Sequence, residues 1–533
     1  MKSYYLSILF FLITGIFSAN AQNTWQWANT ADSPGSTFGE AVTTDAAGNV
    51  FTAGNFTGFS ATWGDTTLNN TVGANSLFLL KYNSDGNLLW AKGPDGPVNS
   101  GRIFSLATDS EGAVYTVGTF SGTLVFGSVS LTSVAFTETG FLAKFDGNGN
   151  IIWATTTGTQ AYTVLNKIIV KNDLLYLSGY YSSPFIFNGI SLAHQGANDI
   201  MVAAFNLSGT IQWAINLGGS GQDTPEGLTA DDNGNVYVSG TSSSTSLSFG
   251  SSVISGSTYD TLLAKISAGG IPVWAKGYGA GPTFESGYGI ASDSNGNIYS
   301  LISYSAATNI EGTTVMPSGG EDFAIIKYNA AGNVQWVRTG NGSYTDIAVD
   351  IAVNAQDNII IAGTSNSPSV TISGEITNLD TGFNNIFVAG LNSSGDLQWV
   401  EYTSVDNNSM YAFVMSDIAV HNNAVYITGM FPGVVNFGDI ALNGIYMTYT
   451  AKLLVDNTAG ISENNKILML YPNPVKDTVN IPGNSDGQFT ITDLMGRTVA
   501  RGSMQANVID VSSLPSGIYL LNINNTTTKF IKG

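Results

Sequence analysis

Residues 227–240 read Gly-Leu-Thr-Ala-Asp-Asp-Asn-Gly-Asn-Val-Tyr-Val-Ser-Gly, and residues 261–274 read Thr-Leu-Leu-Ala-Lys-Ile-Ser-Ala-Gly-Gly-Ile-Pro-Val-Trp. Gly227 to Asp231 is a short strand, Asp231 to Asn235 a turn, and Val236 to Gly240 a second strand of alternating pattern. Thr261 to Ile266 is a third strand, and Ser267 to Gly270 turns into a fourth that ends on Trp274. Four short strands joined by tight hairpins make an antiparallel meander. The unit recurs along the chain. Trp27, Trp90, Trp153, Trp213, Trp274, Trp336 and Trp399 stand 63, 63, 60, 61, 62 and 63 residues apart. A constant period of this size marks an array of one repeated unit.

The turns repeat with the strands. Gly48, Gly112, Gly234 and Gly296 occupy the first hairpin of four units, and Asp173, Asp357 and Asn423 stand there in the others. Gly, Asn and Asp tolerate the positive φ that a tight hairpin demands. Meanders repeated radially predict an all-β, seven-bladed β-propeller spanning residues 22–455. Six units close on a tryptophan strand, whereas the seventh (416–455) lacks one. The orphan strand around Trp25 and Trp27 is expected to close the last blade, leaving no free sheet edge. An open solenoid is the rival arrangement. Asp45, Asp109, Asp231 and Asp293 end the first strand of four units that also carry Lys81, Lys144, Lys265 and Lys327. Strands one and three run parallel across strand two, within a lysine's reach, so four Asp–Lys pairs are expected.

Composition bounds the function. There are 18 Lys plus Arg against 38 Asp plus Glu, a net charge of −20, and no cysteine. An acidic surface repels phosphate backbones and anionic lipid, so no nucleic-acid partner is expected. Disulfides and thiolate metal sites are excluded. Residues 1–21 have the form of a signal peptide: Lys2, an apolar run from Tyr4 to Phe17, then Ala19-Asn20-Ala21. No later segment is long and apolar enough to cross a bilayer.

The first and third hairpins of each unit are short and uniform. The connections at the opposite end are long and variable, and function usually sits on such loops. Motifs such as Phe126-Gly127, Phe249-Gly250 and Phe437-Gly438 mark the second connection as an extra hairpin. The loops before the first strands combine aromatics with acids, among them Phe38, Phe284, Tyr344, Asp406 and Tyr411. Counting back along each first strand places Glu40, Lys167, Glu226, Tyr288, Asp350 and Asp417 near a central mouth. Aromatic plates with carboxylate acceptors suit sugar hydroxyls or a peptide, while packing and solubility explain the same residues without a ligand. Glu40 and Glu226 facing one mouth leave a polysaccharide hydrolase or lyase open as an alternative, and a purely structural surface protein as a third. His194 and His421 lie in no triad or metal motif. Asp293-Ser-Asn-Gly-Asn297 departs from a calcium loop in its glycine position and lacks the distal Glu. No cofactor or metal is expected.

The hairpins at 45–54, 109–118 and 231–240 resemble the bacterial β-propeller repeat family, with its D-x-x-G-N-x-Y-x-x-G pattern, which carries no activity. After a polar linker (456–466) the period ends. Residues 467–533 carry Pro472, Asn473 and Pro474, then Gly496 in Asp493-Leu-Met-Gly-Arg497, then Gly517 and Tyr519, then Lys529. A small Ig-like β-sandwich is expected. The order of motifs resembles the type A C-terminal sorting domain of the type IX secretion system. The resemblance implies export across the outer membrane of Bacteroidetes-type bacteria, engagement of that machinery, and a protein that is secreted or attached at the cell surface.

Overall fold

The computed structural model describes residues 23–133, 137–158, 161–255, 260–279, 285–378, 385–405, 414–456, 475–481, 488–493, 497–504, 508–523 and 526–533. The expected signal peptide, the linker beyond Asp456, Phe284, Asp406, Tyr411, Pro472, Asn473, Pro474 and Gly496 lie outside the described residues. The chain divides into two compact units, Met1–Asn457 and Thr458–Gly533. All described elements are strands.

The first unit is propeller-like, built of repeated four-stranded antiparallel meanders. Among the described residues these are sheet one (37–92), sheet two (100–156), sheet three (163–217), sheet four (223–278), sheet five (285–342) and sheet six (346–402). Sheet seven contains Val414–His421, Ala424–Phe437 and Ile440–Leu454, and its fourth strand is Thr24–Thr30 from the other end of the chain. The register runs from Thr24 opposite Leu454 to Thr30 opposite Tyr449. First strands of successive sheets pack together, and that of sheet seven packs on that of sheet one. A hydrogen bond from the Val42 amide to Asp417 Oδ2, 2.8 Å long, crosses this last junction.

The tryptophan period has a direct physical cause. Each outer-strand indole lies on the glycine of the last hairpin in the following sheet: Trp27 on Gly86, Trp90 on Gly149, Trp153 on Gly209, Trp213 on Gly270, Trp274 on Gly332 and Trp336 on Gly395. A methyl group on these glycines would stand 2.6–3.2 Å from the ring. The same glycines have φ near +80°, from +77° to +86°, so backbone and packing both require glycine. Three indoles also donate to a carbonyl of that turn: Trp27 to Ser84 (3.1 Å), Trp90 to Gly147 (3.2 Å) and Trp213 to Ala268 (3.1 Å).

The lysines of the third strands join this seam. Lys81 pairs with Asp45 at 3.3 Å, Lys144 with Asp109 at 3.1 Å and Lys327 with Asp293 at 4.0 Å. The expected fourth pair does not form. Lys265 donates to Ala330 O in sheet five at 2.8 Å, and Asp231 is satisfied by Tyr237 Oη (3.1 Å) and Asn235 Nδ2 (2.8 Å). Lys81, Lys144 and Lys327 donate to the equivalent carbonyls of Gly147, Leu207 and Ser393 while keeping their aspartates, so of the four only Lys265 holds the turn carbonyl alone. In the first hairpins Asp173 and Asp357 adopt positive φ, +58° each, while in sheet seven Asn422 rather than Asn423 does so, at +54°. The second connections are indeed hairpins, such as Thr123–Phe126 with Val129–Thr132. That of sheet six, Ser369–Ile372, pairs across to Gly340–Gly342 of sheet five.

In the second unit, strands Thr498–Ser503, Gln488–Asp493, Gly517–Ile523 and Thr526–Lys532 form one sheet in that order, and Thr478–Asn480 pairs with Val508–Asp510. Its own core holds Val479, Ile491, Ile509, Leu521 and Phe530. Tyr519 stacks on Phe530 and donates to Pro515 O at 2.8 Å. Gly517 begins the strand that carries Tyr519, Lys529 is exposed, and Arg497 pairs with Asp493 at 2.7 Å.

Gly86→Ala should destabilise the protein by about 2–4 kcal/mol, because the new methyl meets both an unfavourable φ and the Trp27 ring. Gly189→Ala, at similar φ (+89°) with nothing within 4 Å, should cost about 1 kcal/mol. Chemical denaturation of both variants checks the difference; equal losses would mean the indole contact contributes nothing.

Candidate functional site: the axial charge cluster

Every first strand carries a β-bulge at the same level. The register slips at Gly39/Ala41, Ile103/Ser105, Leu165/Lys167, Pro225/Gly227, Gly287/Ile290, Ala348/Asp350 and Met415/Asp417. A bulge bends the strand and re-aims one side chain out of the alternating pattern. Glu40, Glu226 and Tyr288 lie within these bulges, and Lys167, Asp350 and Asp417 immediately follow them. The flanking Gly39, Pro225 and Gly287 are buried, while Glu40 and Tyr288 are half-buried and Glu226 is exposed.

Lys167 is the hub. Its ammonium stands 3.8 Å from Asp417 Oδ1, a contact between sheets three and seven. Asp417, Asp350, Glu226 and Glu40, from four other sheets, together raise its pKa although burial acts the other way. Burial pushes Asp417 well above the usual carboxylate range. Lys167 opposes that shift, and the adjoining, hydrogen-bonded Asp350 carboxylate reinforces it. Asp350 Oδ2 accepts from the Ile418 amide at 3.3 Å and Oδ1 from the Ile351 amide at 2.9 Å.

Burial raises Glu40 as well, and Arg102 and then Lys167 pull it back. Glu226 is pushed up to about 6 by burial, with Lys167 opposing. Its side chain is nevertheless open to solvent. A side chain exposed to solvent beside crowded neighbours satisfies both, and solvent screening moderates the shift. Tyr288 is pushed up to about 12 by burial and the charges of Glu321 and Glu226, so its phenol stays neutral.

All six expected residues therefore share one level of the first unit, and Glu40, Lys167, Glu226, Asp350 and Asp417 form one electrostatic cluster with Tyr288 beside Glu226. Counting along the strands missed Arg102. It lies two residues before the bulge of sheet two and forms a cation–π contact with Phe104, 5.9 Å to the ring centroid. Its signal was available, since Arg102 has the same spacing from its bulge as Phe38 has from Glu40. Among the described residues no grouping of His, Asp and Glu is arranged to hold a metal ion, and no helix is long and apolar enough to cross a membrane.

Residues 469–533 match the family described as the secretion system C-terminal sorting domain, and residues 212–248 match the beta-propeller repeat. Such a tail implies secretion by the type IX system and a location at the outer surface. An uncharacterized WD repeat-containing protein, L264 of Acanthamoeba polyphaga mimivirus, is 25% identical over 175 residues. That is 29% of this chain, which spans only 12% of the viral protein. Among solved structures, Sqt1 from Chaetomium thermophilum is similar with a TM-score of 0.39 and 11% identity, over 83% of this chain and 87% of that one. YCF48 from Cyanidioschyzon merolae gives 0.37 and 7%, over 79% and 98%.

Because Glu226 titrates at about 6 when folded against 4.5 ordinarily, its ionisation costs more in the folded protein. That contribution to stability is complete below 4.5 and is lost as pH rises through 6. The melting temperature should therefore rise on acidification from about pH 7.5 to about pH 5.5. Glu226→Gln should melt higher than wild type at the upper pH and gain less on acidification, as differential scanning fluorimetry would show.

Proposed function

We propose that residues 22–455 close into a seven-bladed propeller whose last blade is completed by Thr24–Thr30, and that it binds an extracellular glycan or protein at the axial mouth. Residues 1–21 act as the signal peptide, 456–466 as a linker, and 467–533 as an Ig-like sandwich that engages the type IX machinery. The axial cluster carries this reading. Glu40, Lys167, Glu226, Tyr288, Asp350 and Asp417 come from six sheets, and Arg102 from the remaining one. Seven strands converge on one charged, partly open spot at the variable end of the loops. A fold needing only a packed core would fill those positions with apolar side chains, because grouped charges oppose closure.

Full-length protein applied to a glycan array and to an array of cell-surface proteins tests this. Binding should be retained without turnover. It should weaken about tenfold or more in Tyr288→Ala or the double Glu40→Gln/Glu226→Gln, the usual scale for central contacts. Undiminished binding in both variants would move the ligand away from the mouth.

One observation favours the second reading, a hydrolase or lyase. Glu226, half-protonated near pH 6, has the tuning of a general acid, with Glu40 as a second carboxylate. Turnover on a polysaccharide panel that vanishes in Glu226→Gln would establish the enzyme. In the producing bacterium, deleting residues 469–533 should abolish appearance of the protein outside the cell, with intracellular retention seen by immunoblot.

A further inference from the structure

We infer that the fold carries two proton-operated latches, at the junctions of sheet three with sheet four and of sheet five with sheet six. In each, a buried pair of aspartates clamps the neighbouring sheets when one of the pair is a neutral acid, and loosens them when both are ionised. The latches stand apart from the binding role proposed for the axial mouth.

Asp199 opens the third strand of sheet three, and Asp223 the first strand of sheet four. The residues just before them form a parallel β-bridge, Asn198 with Gln222, and the Asp223 amide donates to Asn198 O at 2.9 Å. Asp322 and Asp346 stand in the same places in sheets five and six, where the Asp346 amide donates to Glu321 O at 2.7 Å. All four side chains are fully buried. Each pair converges on one turn. Gly342 donates its amide to Asp322 Oδ1 at 3.2 Å, and a methyl group on Gly342 would stand 2.2 Å from Asp346 Oδ2. A methyl group on Gly218 would stand 2.3 Å from Asp199 Oδ1, while the Gly219 amide donates to Asp223 Oδ2 at 2.8 Å.

The members of each pair differ in what supports their charge. Hydroxyls of Ser242 and Ser244 donate to Asp223, and those of Ser365 and Ser367 to Asp346. Asp322 has only backbone amides, those of Ser318, Gly319 and Gly342. Asp199 accepts the Gln195 amide on Oδ2 at 2.7 Å, and its Oδ1 is buried without a partner. Among the described residues no ion pair reaches any of the four. A metal ion does not answer the charge either, since no grouping of His, Asp and Glu is arranged for one and Gly218 packs directly on the open oxygen. A proton needs no room, and a neutral acid is far cheaper to bury than a carboxylate.

The neighbouring groups agree. Burial, then Asp223, raises the Asp199 carboxyl above its usual range, against the Gln195 amide and His194. Burial and Asp346 raise Asp322, and burial raises Asp346. Tyr181 and Tyr304, beside Asp199 and Asp322, are phenols pushed up by burial and by those acids, so they bring no positive charge. Glu321 bonds instead to Ser303. The fold itself does not require acids here. At the junction of sheets two and three the places are taken by Thr139 and Thr163, with the Thr163 amide on Glu138 O at 3.2 Å. At that of sheets one and two they are taken by Ser76 and Gly101, with the Gly101 amide on Asn75 O at 3.1 Å. Ionisation therefore costs more in the clamped junction than in the opened one. Clamping is complete below the ordinary carboxylate value of 3.8 and is lost as pH rises through the raised values. The latched strands begin at the end of the sheets that bears the long connections, so pH sets how firmly that end is held.

Hydrogen–deuterium exchange of the full-length chain, read by mass spectrometry and corrected for the intrinsic rate, tests this at about pH 4.5 and about pH 7.5. The parent is Glu226→Gln, which removes the axial glutamate from the pH response, and Asp199→Asn and Asp322→Asn are added to it singly. In the parent, residues 195–199 and 218–223, and residues 318–322 and 342–346, should gain about tenfold in protection at the lower pH. Each Asn variant should already be protected at the upper pH at its own junction and gain less than about threefold there, with the other junction unchanged. The segments around Thr139 and Thr163 should not respond. Weaker protection of an Asn variant at the upper pH would mean that charged carboxylates hold the junction, and overturns the inference. An equal pH response in parent and variant overturns it as well. Should an Asn variant fail to fold, Asp199→Thr or Asp322→Thr, the side chain used between sheets two and three, carries the same comparison.

Discussion

The structure of the first unit depends on one contact made six times: an indole lying flat on a turn glycine of the next sheet. A single four-stranded meander buries neither of its faces, so it gains stability only by covering a neighbour. The outer strand sits farthest from the axis, where successive sheets diverge and a gap opens between them. A tryptophan is the largest side chain available to fill that gap, and glycine is the residue that lets it approach the backbone. The pairing fixes the spacing between sheets, and lysine ammoniums from the third strands bind the same turns. The contact between Trp27 and Gly86 is the most consequential of the six. It makes the N-terminal strand both the last member of sheet seven and the cover of sheet one. Sheet six is the exception, since sheet seven has no contiguous last hairpin. Trp399 lies instead over Gly390 in its own sheet.

That arrangement assigns different physics to the two ends of the sheets. The end with the short hairpins is committed to sheet-to-sheet packing: its aspartates accept turn amides, tyrosine hydroxyls and lysines, and little is left over. The axial level is the reverse. The bulges of sheets one, three, four, six and seven place Glu40, Lys167, Glu226, Asp350 and Asp417 at one level, where burial raises the pKa of Glu40, Glu226 and Asp417 and the repulsion among carboxylates opposes assembly. The surrounding sheets over-determine the geometry, which is how an unfavourable cluster persists. Clusters that reduce stability in this way are where functional sites concentrate.

Much of this was legible in the sequence for a mechanical reason. Tryptophan and positive-φ glycine are irreplaceable at the seam, so they recur visibly, and the strand order, the fourth strand of sheet seven and the level of the six axial residues followed from counting. What counting could not see was anything set by an inserted residue or by the exact reach of a side chain. A bulge adds one residue without changing composition, so the axial positions fell partly within the bulge, as at Glu40 and Glu226, and partly after it, as at Lys167, Asp350 and Asp417. Arg102 escaped because it stands two residues before its bulge, off the level that counting selected in the other first strands. The missing pair between Asp231 and Lys265 was equally hidden. Both residues satisfy the pattern, and nothing in their spacing separates them from the three pairs that form.

The C-terminal unit obeys a separate logic. Residues 469–533 carry five Lys or Arg against four Asp or Glu, so the acidity of the chain belongs almost wholly to the repeat region. The tail also has its own core, closed by Phe530 and Tyr519, and its motif residues are used locally: Asp493 bonds to Arg497, and Tyr519 to Pro515. An element with its own core must satisfy its polar groups locally. Near-neutral charge and self-satisfied polar groups meet that requirement, because a strongly charged tail would be biased by the field of whatever it is attached to. The repeat unit, by contrast, keeps its uncompensated groups at the axis. The division is physical as well as sequential: the sorting tail satisfies its polar groups locally, and the charged groups of the repeat unit gather at one level of its first strands.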